Sequence, residues 1–309
     1  MIKFSIILSI LFLPFISSSQ TRDYSEWINF GSSHVAKYLQ IAPGTMGPNA
    51  LVVPRMDYAL VGDESEVELG CDYHYMSGDT AINSSFRFLW NIAPGKISVE
   101  VWGQPTETFR LTNELRDERQ IYYDDEGWKT IIGDLLVSTY VQIMKDRCKW
   151  PDVSINYTFK TTTGENFDGR YTNASMNYFY IAVGKSFLFN HCLLDEIRLA
   201  GMGGFYVWQT NKVMMSQDEG PVFQMGLQLR KKSFNLYTEY GGYSACDTYH
   251  ILNDIYGENT VLGKDDPLII RTRFEKTGRH FNYSLEYQTG FRDYDYQTFR
   301  LGVTYNFVM

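Results

Sequence analysis

Four polar side chains in the stretch HFNYSLE are of the types used in nucleophilic catalysis. His280, Asn282, Ser284 and Glu286 alternate with apolar residues, so on a strand they would share one face. Acyl hydrolysis by a serine needs a histidine within hydrogen-bond reach and an asparagine or acid that orients it. Along one strand, at about 3.4 Å per residue, His280 and Ser284 would lie roughly 13 Å apart. They cannot act directly as nucleophile and base, so polar residues lining a wet interior are the better interpretation.

A second group with possible chemistry lies in SEVELGCDYHY, where Glu68, Asp72 and His74 share a face. Side chains two residues apart on a strand stand about 7 Å apart, too far to share a metal ion without other ligands. Ion pairs with Arg87 or Arg300 from adjacent strands are the favoured interpretation. The sequence contains no phosphate-binding loop, zinc cluster or nucleophile elbow, so no metal, cofactor or catalytic residue is predicted.

Four cysteines, Cys71, Cys148, Cys192 and Cys246, show no metal-ligand spacing. Cys148 and Cys192 would both lie in turns on one rim of the topology described below. A disulfide between them is one possibility that an oxidising compartment would permit.

The overall charge argues against nucleic acid as a partner. The formal net charge is -8, and the longest basic run is Arg230, Lys231, Lys232. The residues are 16% aromatic, yet the mean hydropathy is only -0.27. Many aromatic residues among many polar ones favour pleated strands over helices.

The amino terminus has the pattern of a secretory signal peptide over residues 1–19. Lys3 precedes an apolar run at residues 4–16, and three serines follow before Gln20. The run is shorter than the roughly 18 to 20 residues that span a bilayer as a helix, although an uncleaved anchor is the alternative. No later apolar stretch is long enough to span. The exported protein is therefore predicted to be either soluble or inserted as a barrel.

From residue 65 to the end, apolar and polar residues alternate in twelve segments of about ten residues, the length of a tilted transmembrane strand. The last segment, at 297–308, has Phe299, Leu301, Val303 and Tyr305 on one face. Only LAGMGGFYVW resists assignment of its faces, because of its glycines. Every second connection is predicted to be short, about five residues or fewer, and all the long ones fall in the other set. This parity predicts a twelve-stranded antiparallel transmembrane β-barrel over 65–309, with the strand at 297–308 closing on the strand at 65–76.

Charged residues of both signs are predicted to face the lumen, where they could form a salt-bridged core or line a narrow water path. These residues are Glu66, Glu68, Asp72, Arg87, Glu100, Asp134, Asp152, Arg271, Arg273, Glu275, Glu286 and Arg300, together with Lys160.

Two stretches stand outside the strand pattern. Residues 20–64 contain IAPGTMGPNALVVP, whose Pro and Gly oppose a regular strand, and could plug the lumen, cap the periplasmic rim or form an extended lead-in. The acidic stretch RLTNELRDERQIYYDDEGWKT is predicted to be a solvated surface loop.

The signal peptide, the aromatic-rich strands and the terminal TYNF resemble single-chain outer-membrane β-barrel proteins of Gram-negative, Bacteroidota-like bacteria. The resemblance covers residues 65–309. It implies an outer-membrane location, contact with outer-membrane lipid, and recognition by the barrel-assembly machinery through Tyr305 and Phe307, although Val308 and Met309 follow.

The sequence is compatible with three functions. The leading one is a non-enzymatic barrel that acts as a narrow channel for an unknown small solute, or as a scaffold for its long loops. Barrels of this class also include lipid-modifying enzymes of the phospholipase and deacylase type, for which Ser284 and His280 are the best candidates. A secreted soluble β-protein is the third.

Overall fold

The computed structural model describes residues 46–119, 127–145, 149–165, 168–172, 174–190, 193–210, 217–246, 249–253, 258–263 and 266–308. These belong to one compact unit, residues 38–309. The predicted signal peptide at residues 1–19, both Cys148 and Cys192, and the middle of the acidic stretch lie outside the described residues.

The described chain is almost entirely β-structure. Its elements are β1 (Ser65–Met76), β2 (Asp79–Ala93), β3 (Ile97–Leu111), α1 (Asn113–Glu118), β4 (Lys129–Ile131), β5 (Leu135–Met144), β6 (Asp152–Lys160), β7 (Ala174–Leu188), β8 (Glu196–Thr210), β9 (Gln217–Lys231), β10 (Phe234–Tyr243), β11 (Tyr249–Asn253), β12 (Glu258–Gly263), β13 (Leu268–Lys276), β14 (Phe281–Arg292) and β15 (Gln297–Phe307). Among the described residues, no helix is long and apolar enough to cross a membrane.

Twelve of these strands form a closed antiparallel ring. The order around it is β1, β2, β3, β5, β6, β7, β8, β9, β10, β13, β14, β15 and back to β1. The closing pair runs in register from Ser65 opposite Phe307 to Tyr75 opposite Gln297. Closure leaves no unpaired sheet edge in the ring, which confirms the predicted barrel and its strand number. β4 adds to β3 outside the ring, and β11 with β12 forms a separate two-stranded sheet.

Several strands are longer than the sequence predicted. β2, β3, β7, β8 and β9 have 15 residues each. The acidic stretch, which was expected to be a plain surface loop, carries α1 and β4. The pairing of β3 with β5 ends at Gly103, and Glu107, Thr108 and Phe109 of β3 pair with β4 instead. The faces of β8, which the glycines had obscured, are clear in the structure: Met202, Tyr206 and Trp208 are buried.

The connections divide between the two rims by parity. The rim that we call the short-turn rim has connections 94–96, 145–151, 189–195, 232–233 and 277–280, together with the start of β1 and the end of β15. The opposite, long-loop rim has connections 77–78, 112–134, 161–173, 211–216, 244–267 and 293–296. The three longest connections, 112–134, 161–173 and 244–267, all lie on the long-loop rim.

The outer face of the ring is apolar along every strand. Leu301, Phe205 and Met225 are 63%, 61% and 68% exposed, and they alternate with buried neighbours. A continuous apolar surface of this kind is not tolerated by a monomeric protein in water. The outer face therefore requires an apolar surrounding.

The inner face has two unlike halves. On β7, β8, β9 and β10 it is lined by large apolar and aromatic residues, which we call the apolar half: Met176, Tyr178, Tyr180, Met202, Tyr206, Trp208, Val222 and Tyr243. On β1, β2, β3, β14 and β15 it is lined mainly by charged and polar residues, which we call the charged half: Glu66, Glu68, Asp72, His74, Arg87, Glu100, Glu286 and Arg300.

Candidate functional site

Residues 46–64, which we call the inner segment, run through the ring from rim to rim. At the long-loop rim, the amide of Gly47 donates to the carbonyl of Gly169 at 2.9 Å. At the short-turn rim, the amide of Gly95 donates to the carbonyl of Gly62 at 2.9 Å. The segment then enters β1 at Ser65. It therefore crosses the full height of the barrel before the first strand begins.

The inner segment has no strand partner along residues 51–55, and the barrel wall satisfies its main-chain carbonyls with side chains. Five consecutive carbonyls each accept a hydrogen bond from a different wall residue. The donors are Tyr243 to Leu51 at 3.4 Å, Tyr178 to Val52, Arg271 to Val53 at 3.3 Å, Gln224 to Pro54, and Tyr180 to Arg55 at 3.4 Å. Buried carbonyls must be paired, so these side chains make it possible for irregular backbone to lie inside the barrel.

The apolar side chains of the inner segment pack against the apolar half. Ala50, Leu51, Val53, Met56 and Tyr58 are buried and belong to the same cluster as the aromatic wall residues. The ring of Tyr58 also meets the ring of Tyr237 edge-on, with centroids 5.3 Å apart. Burial of apolar area contributes about 25 cal/mol per Å², so this packing stabilises the segment inside the barrel.

The inner segment carries two charged side chains into the lumen, Arg55 and Asp57. One guanidinium nitrogen of Arg55 lies 2.9 and 3.1 Å from the two carboxylate oxygens of Glu286. Asp57 accepts hydrogen bonds from the amide of Ala59 at 2.8 Å and the hydroxyl of Ser154 at 2.9 Å.

At the centre of the charged half, Arg87 is surrounded by three carboxylates. Its guanidinium contacts Glu66, lies 3.1 Å from Glu68 and 3.3 Å from Glu100. Glu100 also accepts a hydrogen bond of 2.6 Å from Tyr140. The guanidinium of Arg87 thus connects β1, β2 and β3 on the inner face.

The other charges predicted to line the lumen are also on the inner face, and most are paired. Arg300 contacts both oxygens of Asp72 and approaches Glu286 at 3.8 Å. The remaining pairs are Lys160 with Asp134 at 2.5 Å, Arg271 with Glu239 at 2.9 Å, and Arg273 with Glu275 at 3.9 Å, where Arg273 also covers the ring of Tyr237. Asp134 itself precedes β5 and lies at the long-loop rim.

One pair joins strands that are not neighbours. Asp152 on β6 and Arg198 on β8 approach to 2.7 Å across β7. They meet over Gly184, where an added Cβ would lie 2.8 Å from the Arg198 guanidinium and 2.8 Å from the carbonyl of Tyr58. Arg198 also donates two hydrogen bonds, of 2.9 and 2.8 Å, to that carbonyl. The pair thus holds the inner segment near the short-turn rim.

A cavity of about 60 Å³ remains beside the inner segment, along the charged half. Arg55, Arg87, Glu100, Gln104 and Trp102 contribute to its lining. Gln104 is 3% exposed, and its side-chain oxygen has no hydrogen-bond partner among the described residues. The cavity is lined by both charged and apolar side chains, and it has room for a few water molecules, at about 10 to 15 Å³ each. This cavity therefore lies between the inner segment and the charged half of the wall.

At the long-loop rim, a buried charge cluster connects the inner segment to two loops and to the strands β2 and β3. Arg170 contacts Asp79 and Glu107, and all three side chains are 0% exposed. Glu107 also accepts hydrogen bonds from Tyr171 at 2.8 Å and from Asn49 of the inner segment at 3.1 Å. Arg119 adds a second cation 3.2 Å from Asp79.

Sequence reasoning missed both this cluster and the apolar half. A signal for the second was present in β7, where both faces are apolar: Tyr178 and Tyr180 are 1% exposed, while Phe179 and Ile181 are 52% and 46% exposed. A strand with lipid on one side and water on the other has one polar face. Two apolar faces indicate that something apolar fills the interior.

The residues considered for catalysis are not assembled into a site. His280 lies in the 277–280 turn, exposed, with its ring against Tyr305, whereas Ser284 lies on the inner face of β14. His74 is buried between Thr298 at 2.8 Å and Asn83 at 3.1 Å. Within the described ranges, no three His, Cys, Asp or Glu side chains are arranged to hold a metal ion. Cys71 and Cys246 are free thiols on exposed positions.

Tyr305 and Phe307, the two residues of the expected assembly signal, lie on the outer face at the short-turn rim. Tyr305 is 40% exposed, and its ring stacks on that of Phe307 with centroids 5.9 Å apart. Phe281 packs against the same Tyr305 ring at 5.2 Å. The end of β15 is thus an aromatic patch on the outer surface.

No protein-family profile matches the sequence, and no curated protein sequence matches it. Among solved structures, an outer membrane channel from Pseudomonas putida F1 superimposes with a TM-score of 0.57 at 11% identity, covering 83% of this chain and 100% of that chain. The transport unit of the autotransporter AIDA-I from Escherichia coli gives 0.41 at 10% identity, over 87% of this chain and 100% of the other. The outer membrane protein Omp33 from Acinetobacter baumannii gives 0.35 at 7% identity, over 80% and 100%. The similarity to the Pseudomonas channel shows that this chain has the fold of an outer-membrane β-barrel.

Proposed function

We propose that the chain is a non-enzymatic outer-membrane β-barrel that acts as a narrow channel, with the inner segment as its plug. The observation that carries the proposal is the division of the lumen. The inner segment fills the apolar half, and the cavity that remains lies along charged residues, where water and small solutes would pass. The Pseudomonas putida protein of similar fold is itself a channel.

The outer-membrane location is part of the same proposal. The apolar outer face would meet lipid, the signal peptide at residues 1–19 would direct export, and Tyr305 and Phe307 would be recognised by the barrel-assembly machinery. The short-turn rim would then face the periplasm and the long-loop rim the outside, as in other single-chain barrels.

The channel is tested by conductance in planar bilayers. We expect the full-length chain to give small or no current, and a variant lacking residues 46–61 to give a larger, stable current. Both proteins are first checked for a folded barrel by heat-shifted migration on gels. A folded deletion variant that gives no current would overturn the channel proposal and would favour a scaffold for the long loops.

A further inference from the structure

Five side chains of the barrel wall donate hydrogen bonds to the backbone of the inner segment. Tyr178, Tyr180, Gln224, Tyr243 and Arg271, which we call the carbonyl track, come from four strands, β7, β9, β10 and β13. They donate to the five consecutive carbonyls of residues 51–55. Donors around the segment can reach successive carbonyls only if the bound chain is extended, since in an extended chain these groups point alternately to opposite sides.

Hydrogen bonds to main-chain carbonyls do not depend on which side chains the bound segment carries. Every polypeptide offers the same acceptors at the same spacing, as in strand addition, where main-chain hydrogen bonds supply affinity and pockets supply specificity. Here the pockets are the aromatic surfaces of Tyr206, Trp208 and Tyr243, which favour apolar side chains such as Leu51 and Val53. Pro54 is accepted because the track contacts its carbonyl.

We propose that the carbonyl track is a binding site for extended apolar polypeptide, and that residues 46–62 are its built-in ligand. This goes beyond conduction, because it assigns to the lumen a class of ligand. In the intact chain, a tethered ligand has an effective concentration of millimolar order, so it would exclude other peptides from the site. Binding in trans should become measurable once the tether is cut.

The test uses the full chain, folded before it is cut. A protease site is inserted between Gly62 and Asp63, which are both exposed. After cleavage and removal of the released piece, a fluorescent peptide of residues 46–62 is added and followed by anisotropy. We expect saturable binding. The same peptide with Val52→Ala should bind within about threefold, because the carbonyl is retained. A peptide with Leu51→Asp and Val53→Asp should bind much more weakly, because the aromatic pockets favour apolar side chains.

Wall variants identify the contacts. The double variant Tyr178→Phe with Tyr243→Phe removes two hydroxyl donors and should weaken binding by about tenfold. Tyr283→Phe is the matched control, because Tyr283 is 55% exposed on the outer face, and it should leave affinity unchanged. If the double variant does not fold, Gln224→Ala replaces it, with an expected loss of about fivefold.

Either of two results would overturn the proposal: no saturable binding to the cut, folded barrel, or equal affinities in the wall variants and the Tyr283→Phe control. Peptide binding is measured without conductance. Its failure would leave the channel proposal standing, and absence of current from the deletion variant would not alter the peptide result.

Discussion

Arg170 joins three parts of the molecule at the long-loop rim. Its guanidinium lies over the ring of Phe109 at 4.6 Å and contacts Asp79 and Glu107, with no exposure to solvent. Removing one partner of a buried charge cluster leaves the others uncompensated, which typically costs about 3 to 5 kcal/mol.

We predict that Arg170→Met lowers the free energy of unfolding by about 3 kcal/mol. Denaturant titration of the protein folded into lipid vesicles measures the change. Adding Glu107→Gln removes the uncompensated carboxylate and should recover part of the loss. A double variant that is simply the sum of the two single losses would contradict the interpretation.

Some of these contacts could be anticipated from residue types, and some could not. Arg87 and Glu68 lie on strands adjacent in sequence, so their contact follows from register. Arg198 and Asp152 are two strands apart, and their contact depends on a glycine between them and on a carbonyl of the inner segment. No pattern in either strand encodes that carbonyl.

At the scale of elements, the seam between β1 and β15 depends on two small residues that face each other, Gly70 and Gly302. A Cβ built on Gly70 would lie 2.6 Å from the hydroxyl of Ser85 and 2.9 Å from the carbonyl of Leu301. The second is backbone and cannot move aside without breaking the pairing of the closing strands.

We predict that Gly70→Val reduces the folded, heat-shifted fraction several-fold, because the ring cannot close over the larger side chain. Cys71→Val is the matched control: the neighbouring side chain is exposed on the outer face and should accept valine. Equal folded fractions in the two variants would show that the seam tolerates a side chain at Gly70.

The turn at 232–233 offers a gain in stability. Lys232 has a φ of 53°, in the left-handed region that favours glycine, while its amide donates to Asp195 at 2.6 Å. We predict that Lys232→Gly raises the free energy of unfolding by about 0.5 to 1 kcal/mol, because it relieves this conformation and keeps the amide. Ser233→Gly, at a residue without positive φ, should give no gain in the same denaturant titration.

The strands and their pairing could be predicted because alternation with a period of two and the parity of connections are local properties. The inner segment could not be placed by this reasoning. Its prolines and glycines remove any period, and the partners of its carbonyls are distributed over β7, β9, β10 and β13. The sequence thus left plug, cap and lead-in as open alternatives.

For the whole molecule, the two ends of the described chain lie on opposite rims. Met46 accepts a hydrogen bond of 3.2 Å from Tyr296 at the long-loop rim, whereas Phe307 lies opposite Ser65 at the short-turn rim. With the proposed orientation, an epitope inserted directly before Met46 should be labelled by antibody on intact cells. An epitope after Phe307 should be labelled only after the outer membrane is opened, and the reverse pattern would invert the proposed orientation.

The path of the inner segment also limits how the molecule can assemble. Residues 46–64 precede β1 in the chain yet lie inside the ring that β1 and β15 close. If the ring closed first, the inner segment and the residues before it would have to be threaded through the closed ring. The simpler order is that the sheet forms around the inner segment and the ring closes afterwards. Once the seam is made, release of the inner segment from the intact chain would require either opening of the seam or withdrawal of the segment through the ring, and both would break its contacts with the wall.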